Sequence, residues 1–563
     1  MSDKGSAEKA LRHIVGALLI AVLPVLHLWA AADSVAKASD DYFKPRLASG
    51  RIAAAACVIV DGDKPAVIRL YGPVNAQGSL WRVASVSKVF TAIAIMQLAE
   101  SGKLQLDDDV NKYLKHIKVP STFSQPITIR ELLLHRSGLD DRFVGDGFQS
   151  GPQPDMSQIM SEALPMRVYP PNTVELYSNY GYGLLGAVIE DVTGQRFENY
   201  MLANVLQPLG MQDSTFAQPL PEPSRVAPGK WFYQRAAPAA ALTTNVNDLL
   251  RFLMATLKED RPVLSAHAFE EMTARPDSTI RIVHGLGYWT GNDRGHHLVG
   301  ASGDSGGFHS VLMAFPDEHL GYFTLVSGGG NAVAWDFYER FASITFGPKT
   351  TGEAHPIPAT GMAREQMSRF PGLYRTVRYP HHELSKTFIL TDLTRVSLDH
   401  DGALRVHGAR WLPIGPLEIK KEDGSEKLSF QTDESGRVRF LNSSDERISW
   451  YESGYASIAF YFIFATLFVS GVWKATKIMR WISAIVLLHC VGWLSMCLLI
   501  GPNNLIFGLP MELRAILIIG TLLPLLAAAS IYAAWRDRRA FNCVLTATVL
   551  AYIPFISYWN LKL

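Results

Sequence analysis

The sequence predicts an α+β protein: an antiparallel sheet flanked by helices with a helical region beside it, then a small all-β domain and a four-helix transmembrane region. Three observations predict it. Strand-like apolar runs stand near both ends of the stretch 50–345, at 52–72 and 280–330, with helical and loop-rich sequence between them. Terminal strands around a helical middle close into one sheet beside a helical layer. Residues 369–452 alternate, as in Leu404–His407 and Val438–Leu441, around turns at Asp401-Gly402 and Asp423-Gly424, which reads as a second, all-β unit. Four stretches, Tyr455–Trp473, Trp481–Ile500, Ala515–Trp535 and Ala540–Tyr558, hold no Asp, Glu, Lys or Arg, and each is about long enough to cross a bilayer.

Taken in order, the chain begins with Lys4, Lys9 and Arg12, then an apolar run from Ile14 to Trp29 and the small residues Ala30-Ala31-Ala32. That is the layout of a secretory signal. The run is short for a span of roughly 20 residues, which favours cleavage near Ala32 over a retained anchor. Expected boundaries follow: a signal peptide at 1–32, the main domain at 33–348, a Pro-, Gly- and Thr-containing linker at 349–368, the small β domain at 369–452 and the membrane helices within 455–558. Lys474, Lys477 and Arg480 follow the first apolar stretch, and Arg536-Asp537-Arg538-Arg539 follows the third. The positive-inside rule places both connectors in the cytoplasm. The chain then reads as a multi-pass protein of the cytoplasmic (inner) membrane, with the large domain facing the periplasm or exterior.

Lys plus Arg number 53 and Asp plus Glu 52 among 563 residues, so no basic excess points to nucleic acid. Cys490, Cys497 and Cys543 sit in the apolar C-terminal runs, leaving Cys57 alone in the polar part. No disulfide pair and no metal-type cysteine spacing is available there. The pairs His296-His297 and His381-His382 lack further ligand spacing, so neither a metal nor an organic cofactor is expected.

Within the main domain, Asp61-Gly62 between two apolar runs marks a hairpin. Ser85 and Lys88 stand three residues apart, where a strand-like run gives way to the apolar run Val89–Leu98. If that run is a helix, Ser85 lies at its N-terminus, where unpaired N–H groups and the helix dipole favour a developing negative charge. Lys88 falls one turn on, on the same face, and a lysine held in an apolar setting can act as a base. Four positions with two specified residues also describe an N-cap serine and a surface lysine, so the pattern alone decides little. Thr128 with Glu131 predicts a capped helix start, Asn245 predicts a cap for a helix at 246–257, and a helix is expected from about Gly181 to Val192. Tyr177-Ser178-Asn179 then falls on the loop before that last helix. A tyrosine hydroxyl near a lysine can relay a proton to a leaving group, and an amide such as Asn179 can orient lysine and substrate.

Several landmarks in order carry a resemblance. Ser85-Val86-Ser87-Lys88, Gly102–Asp108, Leu132-Leu133-Leu134-His135-Arg136-Ser137-Gly138-Leu139, Tyr177-Ser178-Asn179 and Gln207-Pro208-Leu209-Gly210-Met211 resemble the class C β-lactamase-related, penicillin-binding-protein-like serine hydrolases, which include D-specific peptidases and some esterases. The resemblance implies a fold like that of β-lactamases and D-Ala-D-Ala peptidases. It implies Ser85, Lys88 and Tyr177 as catalytic residues and Asn179, Ser302, Gly303 and Asp304 as substrate-binding or orienting ones. The third element departs from the pattern: Ala301-Ser302-Gly303 has Ala301 where the family usually carries a basic residue that helps hold a substrate carboxylate. The strand backbone near Asp304 remains a candidate second oxyanion donor opposite the Ser85 N–H. The expected function is a membrane-anchored serine peptidase or amidase working through a Ser85 acyl-enzyme on a small-molecule, peptide or lipid-tailed envelope substrate. An esterase or β-lactamase on the same scaffold, or a non-catalytic sensor, is the alternative. Gly303-Asp304-Ser305-Gly306-Gly307 also fits G-x-S-x-G, but the run after it is strand-like, whereas a hydrolase elbow requires a helix there.

Overall fold

The structure is a computed structural model. It describes residues 32–563 apart from 149–150, 152–153, 163, 222–224, 230, 259–261, 275–281, 349–360, 423–426, 434–435 and 443. The expected signal run, the Asp423-Gly424 turn and most of the expected linker lie outside the described residues. The longest helices are α1 (residues 32–48), α2 (Ser87–Glu100), α3 (Asn179–Thr193), α4 (Val246–Leu257), α5 (Asn331–Phe346) and four at the C-terminus, α6 (Gly454–Lys474), α7 (Lys477–Ile500), α8 (Met511–Asp537) and α9 (Ala540–Tyr558). The chain divides into two compact units: Met1–Gln105 with Leu185–Trp231 and Ala237–Thr350, and Leu106–Leu184 with Phe232–Ala236 and Thr351–Leu563.

The first unit is built on a seven-stranded sheet of β1 (Ala54–Asp61), β2 (Lys64–Tyr71), β3 (Ile282–His284), β4 (Trp289–Asp293), β5 (His296–Ser305), β6 (Phe308–Phe315) and β7 (Leu320–Ser327), in the order β2-β1-β7-β6-β5-β4-β3. Every pairing is antiparallel. Ala54 faces Ser327 and Asp61 faces Leu320, so the N-terminal hairpin closes on the last strand, as the strand-rich ends of this stretch predict. β6 and β7 are buried at every residue, which is why they read as continuous apolar runs: strands covered on both faces lose the polar alternation. One face packs on α1 and α5, with Phe43, Cys57, Val311, Tyr322 and Phe337 in one apolar cluster. On the other face, an ideal Cβ on Gly321 would fall 2.6 Å from the Leu253 side chain of α4, so glycine lets helix and strand approach. Helix α4 starts where Asn245 accepts the Asp248 N–H, and α2 is buried nearly all round, the fate of a helix with no polar face.

The second unit opens with loops and short helices. Thr128 and Glu131 form the reciprocal capping box that their spacing predicts. Eight short strands, β8 (Gly372–Thr376), β9 (Thr394–Leu398), β10 (Leu404–Val406), β11 (Ala409–Gly415), β12 (Glu418–Lys421), β13 (Lys427–Thr432), β14 (Val438–Leu441) and β15 (Asp445–Ile448), form a closed barrel. Leu373 opposite Ile448 joins the first strand to the last, which leaves no open edge. Gly361–Met367, inside the stretch that composition reads as a linker, is helical, and Met367 packs with Phe370 and Tyr374 in the barrel core. The helices α6 to α9 are long and apolar enough to cross a membrane. Phe462, Leu499 and Leu525 stand largely exposed on them, an arrangement suited to lipid rather than water.

Candidate active site

In the first unit the chain turns sharply before Ser85. Ala84 adopts φ +47°, a left-handed conformation that costs a residue with a Cβ of order 1 kcal/mol or more. A single 3-10 turn, Ala84–Val86, leads directly into α2. The bend is held from outside. Ser87 Oγ donates to Ala84 O (2.5 Å) and accepts the Leu242 N–H (2.9 Å), and Thr91 Oγ1 donates to Pro238 O (2.7 Å). Lys88 Nζ lies 3.0 Å from Ala239 O and 3.2 Å from Ser85 Oγ. Lys88 is 3% exposed, while Ser85 is half-buried. The one-turn spacing therefore brings a buried amine within hydrogen-bond reach of a partly accessible hydroxyl.

Strand β5 runs past this bend. It pairs with β4 only from His296 to Gly300, whereas its pairing with β6 extends to Ser305. From Ala301 onward the edge away from β6 carries no β4 partner. A Cβ on Gly303 would fall 2.1 Å from Val83 O and 2.8 Å from Ser85 N, so only glycine permits this approach. Ser310 Oγ on β6 donates to Val83 O across the same contact (3.0 Å). Strand alternation puts Ala301 on the Gly303 face and Ser302 and Asp304 on the opposite one. Asp304 Oδ1 lies 3.1 Å from His309 Nδ1, whose residue is its cross-strand partner. Ser302 and Asp304 thus offer the Ser85 side their backbone rather than their side chains. His297 is on the Gly303 face but six residues away, about 20 Å along a strand, with Nε2 at 3.5 Å from Thr290 Oγ1. Ser305 is followed by β6, a strand, so the elbow geometry of a G-x-S-x-G nucleophile is absent at this position.

Tyr177 and Asn179 belong to the second unit. Val174, Leu176 and Ser178 are buried, and Tyr177 and Asn179 between and after them are half-exposed. The Tyr177 ring stacks on His135 at 4.2 Å between centroids, and His135 Nδ1 accepts the Ser178 N–H (3.2 Å). The His135 backbone is held by Leu132 O (3.3 Å) and the Leu176 N–H (2.8 Å), and in the turn that follows, a Cβ on Gly138 would fall 2.0 Å from Tyr169 O. Helix α3 starts at Asn179, two residues before the sequence places it. Two groups satisfy that start: Ser178 Oγ accepts the Gly181 N–H (3.0 Å), and Asp141 Oδ1 accepts the N–H groups of Asn179 (3.0 Å) and Tyr180 (3.1 Å), with its Oδ2 3.4 Å from Asn179 Nδ2. A carboxylate from elsewhere in the chain satisfies the helix start and the dipole.

Asp140, 2% exposed, accepts the His381 N–H at 2.9 and 3.0 Å and faces His382 Nδ1 at 2.9 Å. Burial pushes its carboxyl above the usual range. Glu383 accepts the Phe143 N–H (2.5 Å) and the Val144 N–H (3.0 Å), and burial pushes it up to about 7. Asn560, just past α9, donates to the carbonyls of His381 (2.8 Å) and Glu383 (3.1 Å). The Arg378 guanidinium sits 4.1 Å from the Tyr177 ring centroid. Sequence reasoning missed Asp141 and Arg378 because both act on residues far from them in the chain, and no local pattern marks either.

A family model described as Beta-lactamase matches residues 39–342. Protein flp of Staphylococcus aureus (strain N315) is 25% identical over 311 residues, 51% of this chain and 62% of that protein's length. Penicillin-binding protein 4* of Bacillus subtilis (strain 168) is 34% identical over 155 residues, 26% of this chain and 33% of that protein. The chain thus spans less than two thirds of the length of these relatives. The crystal structure of SurE superposes with a TM-score of 0.51 at 20% identity, covering 75% of this chain and 100% of that one, which is a likeness of fold. With the family match covering more than half of its residues, the chain belongs to the β-lactamase family.

Proposed function

We propose that this protein is a membrane-anchored serine hydrolase, a peptidase or amidase, that works through an acyl-enzyme on Ser85. The observation that carries this is the 3.2 Å separation of Lys88 Nζ and Ser85 Oγ at the start of a buried helix. In the proposed reaction Lys88, as the free amine, takes the Ser85 proton while Oγ attacks an amide or ester carbonyl. The Ser85 N–H, with a second N–H on β5 near Asp304, holds the oxyanion. Tyr177 carries the proton to the leaving group, Asn179 orients the reacting groups, and water then releases the acyl group. The close approach of Gly303 to Ser85 N supports the oxyanion assignment.

The proposed setting is the cytoplasmic membrane, with the catalytic region outside. Lys474, Lys477 and Arg480 lie around the α6–α7 connection and Arg536, Arg538 and Arg539 around the α8–α9 connection. Exposed Trp473, Trp481 and Trp535 flank these basic groups, and exposed Trp450, Tyr451 and Tyr455 stand at the other end of α6. Aromatic residues at both ends of apolar helices suit two membrane–water interfaces. A peptide or lipid-tailed envelope substrate fits this setting.

Labelling of the full-length protein with a fluorophosphonate or a fluorescent penicillin tests the reading. Wild type and Ser305→Ala should label, and Ser85→Ala should not. Labelling that persists without Ser85 and disappears without Ser305 refutes it. Failure of every form to label favours a non-catalytic sensor, a reading to which Ala301 lends weight.

A further inference from the structure

The apolar helices of the second unit line a cavity of about 170 Å³. Ser457, Tyr461 and Phe462 of α6 form one wall, facing Trp493 and Leu494 of α7 and Phe555 of α9. Trp559 and Leu561, just past α9, and Thr387 and Leu390 of the 3-10 segment Leu384–Thr391 complete the lining. These residues come from the start of α6 and the end of α9, so the cavity lies away from the basic connections at 474–480 and 536–539. Phe462 stands eight residues beyond Gly454, the first residue of α6, which is about 12 Å along the helix. The polar atoms of the walls are bonded within them: Tyr461 Oη donates to Cys490 O (3.0 Å), and Trp559 Nε1 donates to Ser457 Oγ (3.2 Å). The surface facing the cavity is almost wholly apolar, and such a space holds no water. Ile458 and Phe462 both line it and stand exposed, so it opens on the surface suited to lipid.

A cation stands beside this cavity. Lys386 precedes Thr387 in the same 3-10 segment and is 9% exposed. Its Nζ lies 3.9 Å from the ring centroid of Tyr558, 5.9 Å from that of Trp559 and 6.0 Å from that of Tyr379. The three rings fix the ammonium in place. Among the described residues it makes no ion pair, and no oxygen accepts its N–H groups. The nearby carboxylates are engaged elsewhere: Glu452 accepts the Ser449 N–H (2.8 Å), and Asp140 faces His382 and the His381 N–H. Arg375, also buried, donates to Glu452 O, Tyr558 Oη and Tyr379 Oη, none of which is an anionic oxygen. Burial lowers the Lys386 amine to about 8, which leaves it charged at neutral pH. Positive charge therefore exceeds paired negative charge at this spot, and a buried cation is stabilised by a counter-ion. Exposed Trp450, Tyr451 and Tyr455 at the same end of α6 suit the level of lipid headgroups.

We propose that this cavity binds one anionic phospholipid, with an acyl chain between α6, α7 and α9 and the phosphate on Lys386. The chain follows from the apolar lining that opens toward lipid. The phosphate follows from the unmatched ammonium beside Trp559, a point charge with three donors. The inference rests on the proposed membrane setting and is independent of Ser85.

Native mass spectrometry of the full-length protein, released from detergent micelles containing dioleoylphosphatidylglycerol or dioleoylphosphatidylcholine, tests it. Wild type should retain one phosphatidylglycerol, bound about tenfold more tightly than phosphatidylcholine, the difference expected of a charge-assisted hydrogen bond. Lys386→Gln should bring phosphatidylglycerol down to the phosphatidylcholine level. Leu494→Trp, which fills the cavity, should weaken both lipids, and Leu499→Trp, exposed on α7 outside the cavity, should weaken neither. A second measurement needs wild type alone: phosphatidylglycerol with a diazirine in one acyl chain should crosslink to residues 457–462 and 493–494, and excess unlabelled phosphatidylglycerol should compete. Equal retention of the two lipids by wild type, a preference that survives Lys386→Gln, or crosslinks spread evenly along α6 to α9 overturns the site. Release of the protein from membranes by alkaline carbonate overturns instead the membrane setting on which it rests.

Discussion

Gly303→Ala is the substitution for which the structure makes the most definite forecast. The added Cβ would fall 2.1 Å from Val83 O, 2.8 Å from Ser310 Oγ and 2.8 Å from Ser85 N. Ordinary contact begins near 3.4 Å, so β5 and the bend before α2 must separate by about 1.3 Å against backbone atoms that have little room to rotate. Overpacking of this kind costs about 1–3 kcal/mol of stability. Displacing the Ser85 N–H by about 1 Å relative to β5 lowers the reaction of Ser85 by about a hundredfold. The assay is the second-order rate of fluorophosphonate labelling, read alongside the thermal midpoint. Gly321→Ala serves as the control. Its Cβ would fall 2.6 Å from Leu253, which strains the same sheet against α4 rather than against Ser85. It should lower the midpoint while leaving the labelling rate near wild type. If Gly303→Ala labels within about threefold of wild type, or if Gly321→Ala loses labelling equally, the close approach of β5 to Ser85 N is not what shapes the site.

Asp141→Asn removes the charge at the start of α3 and leaves one carbonyl oxygen to serve both backbone N–H groups; it should cost about 1 kcal/mol and slow Ser85 acylation by about tenfold, with Asp141→Glu recovering part of the rate, whereas equal rates in all three forms refute a positioning role. Burial raises the Glu383 carboxyl from its ordinary value near 4.5 to about 7 in the folded protein, so the folded state holds the proton to higher pH than the unfolded one. Its contribution is fully present below about 4.5, falls as pH rises toward about 7, and totals about 3 kcal/mol. Thermal midpoints of wild type should therefore decline relative to Glu383→Gln between pH 5 and 7 and run parallel above that, and parallel curves throughout would contradict the burial of this carboxyl.

What could be read from the sequence shares one property: the partners lie within one turn or one hairpin of each other. Thr128 with Glu131, Asn245 with Asp248, the Asp61-Gly62 hairpin, and Ser85 with Lys88 are all local, and each is found with its partner in place. The start of α3 joins a local signal to a distant one: Ser178 Oγ accepts the Gly181 N–H, while Asp141, a loop residue far upstream, accepts the Asn179 and Tyr180 N–H groups. Ala84 illustrates a second limit. Nothing about an alanine signals φ +47°, and the conformation persists because Ser87, Lys88 and Thr91 are all bonded to the segment Pro238–Leu242. The alternation of β8 to β15 announces strands but not that the first pairs with the last, since closure depends on curvature accumulated over the whole sheet.

By itself, then, the sequence determined the order of elements, the antiparallel character of the main sheet, the four apolar helices and the pairing of Ser85 with Lys88. Periodicity, capping and one-turn spacing are properties of neighbouring residues, and they survive without a fold. Only the tertiary structure decided that Gly303 meets Ser85 N, that Ser302 and Asp304 turn their side chains away, that Asp141 joins the cap of α3, and that Arg378 lies on Tyr177. Those contacts join segments far apart in the chain, so their energies exist only after the core has brought the segments together.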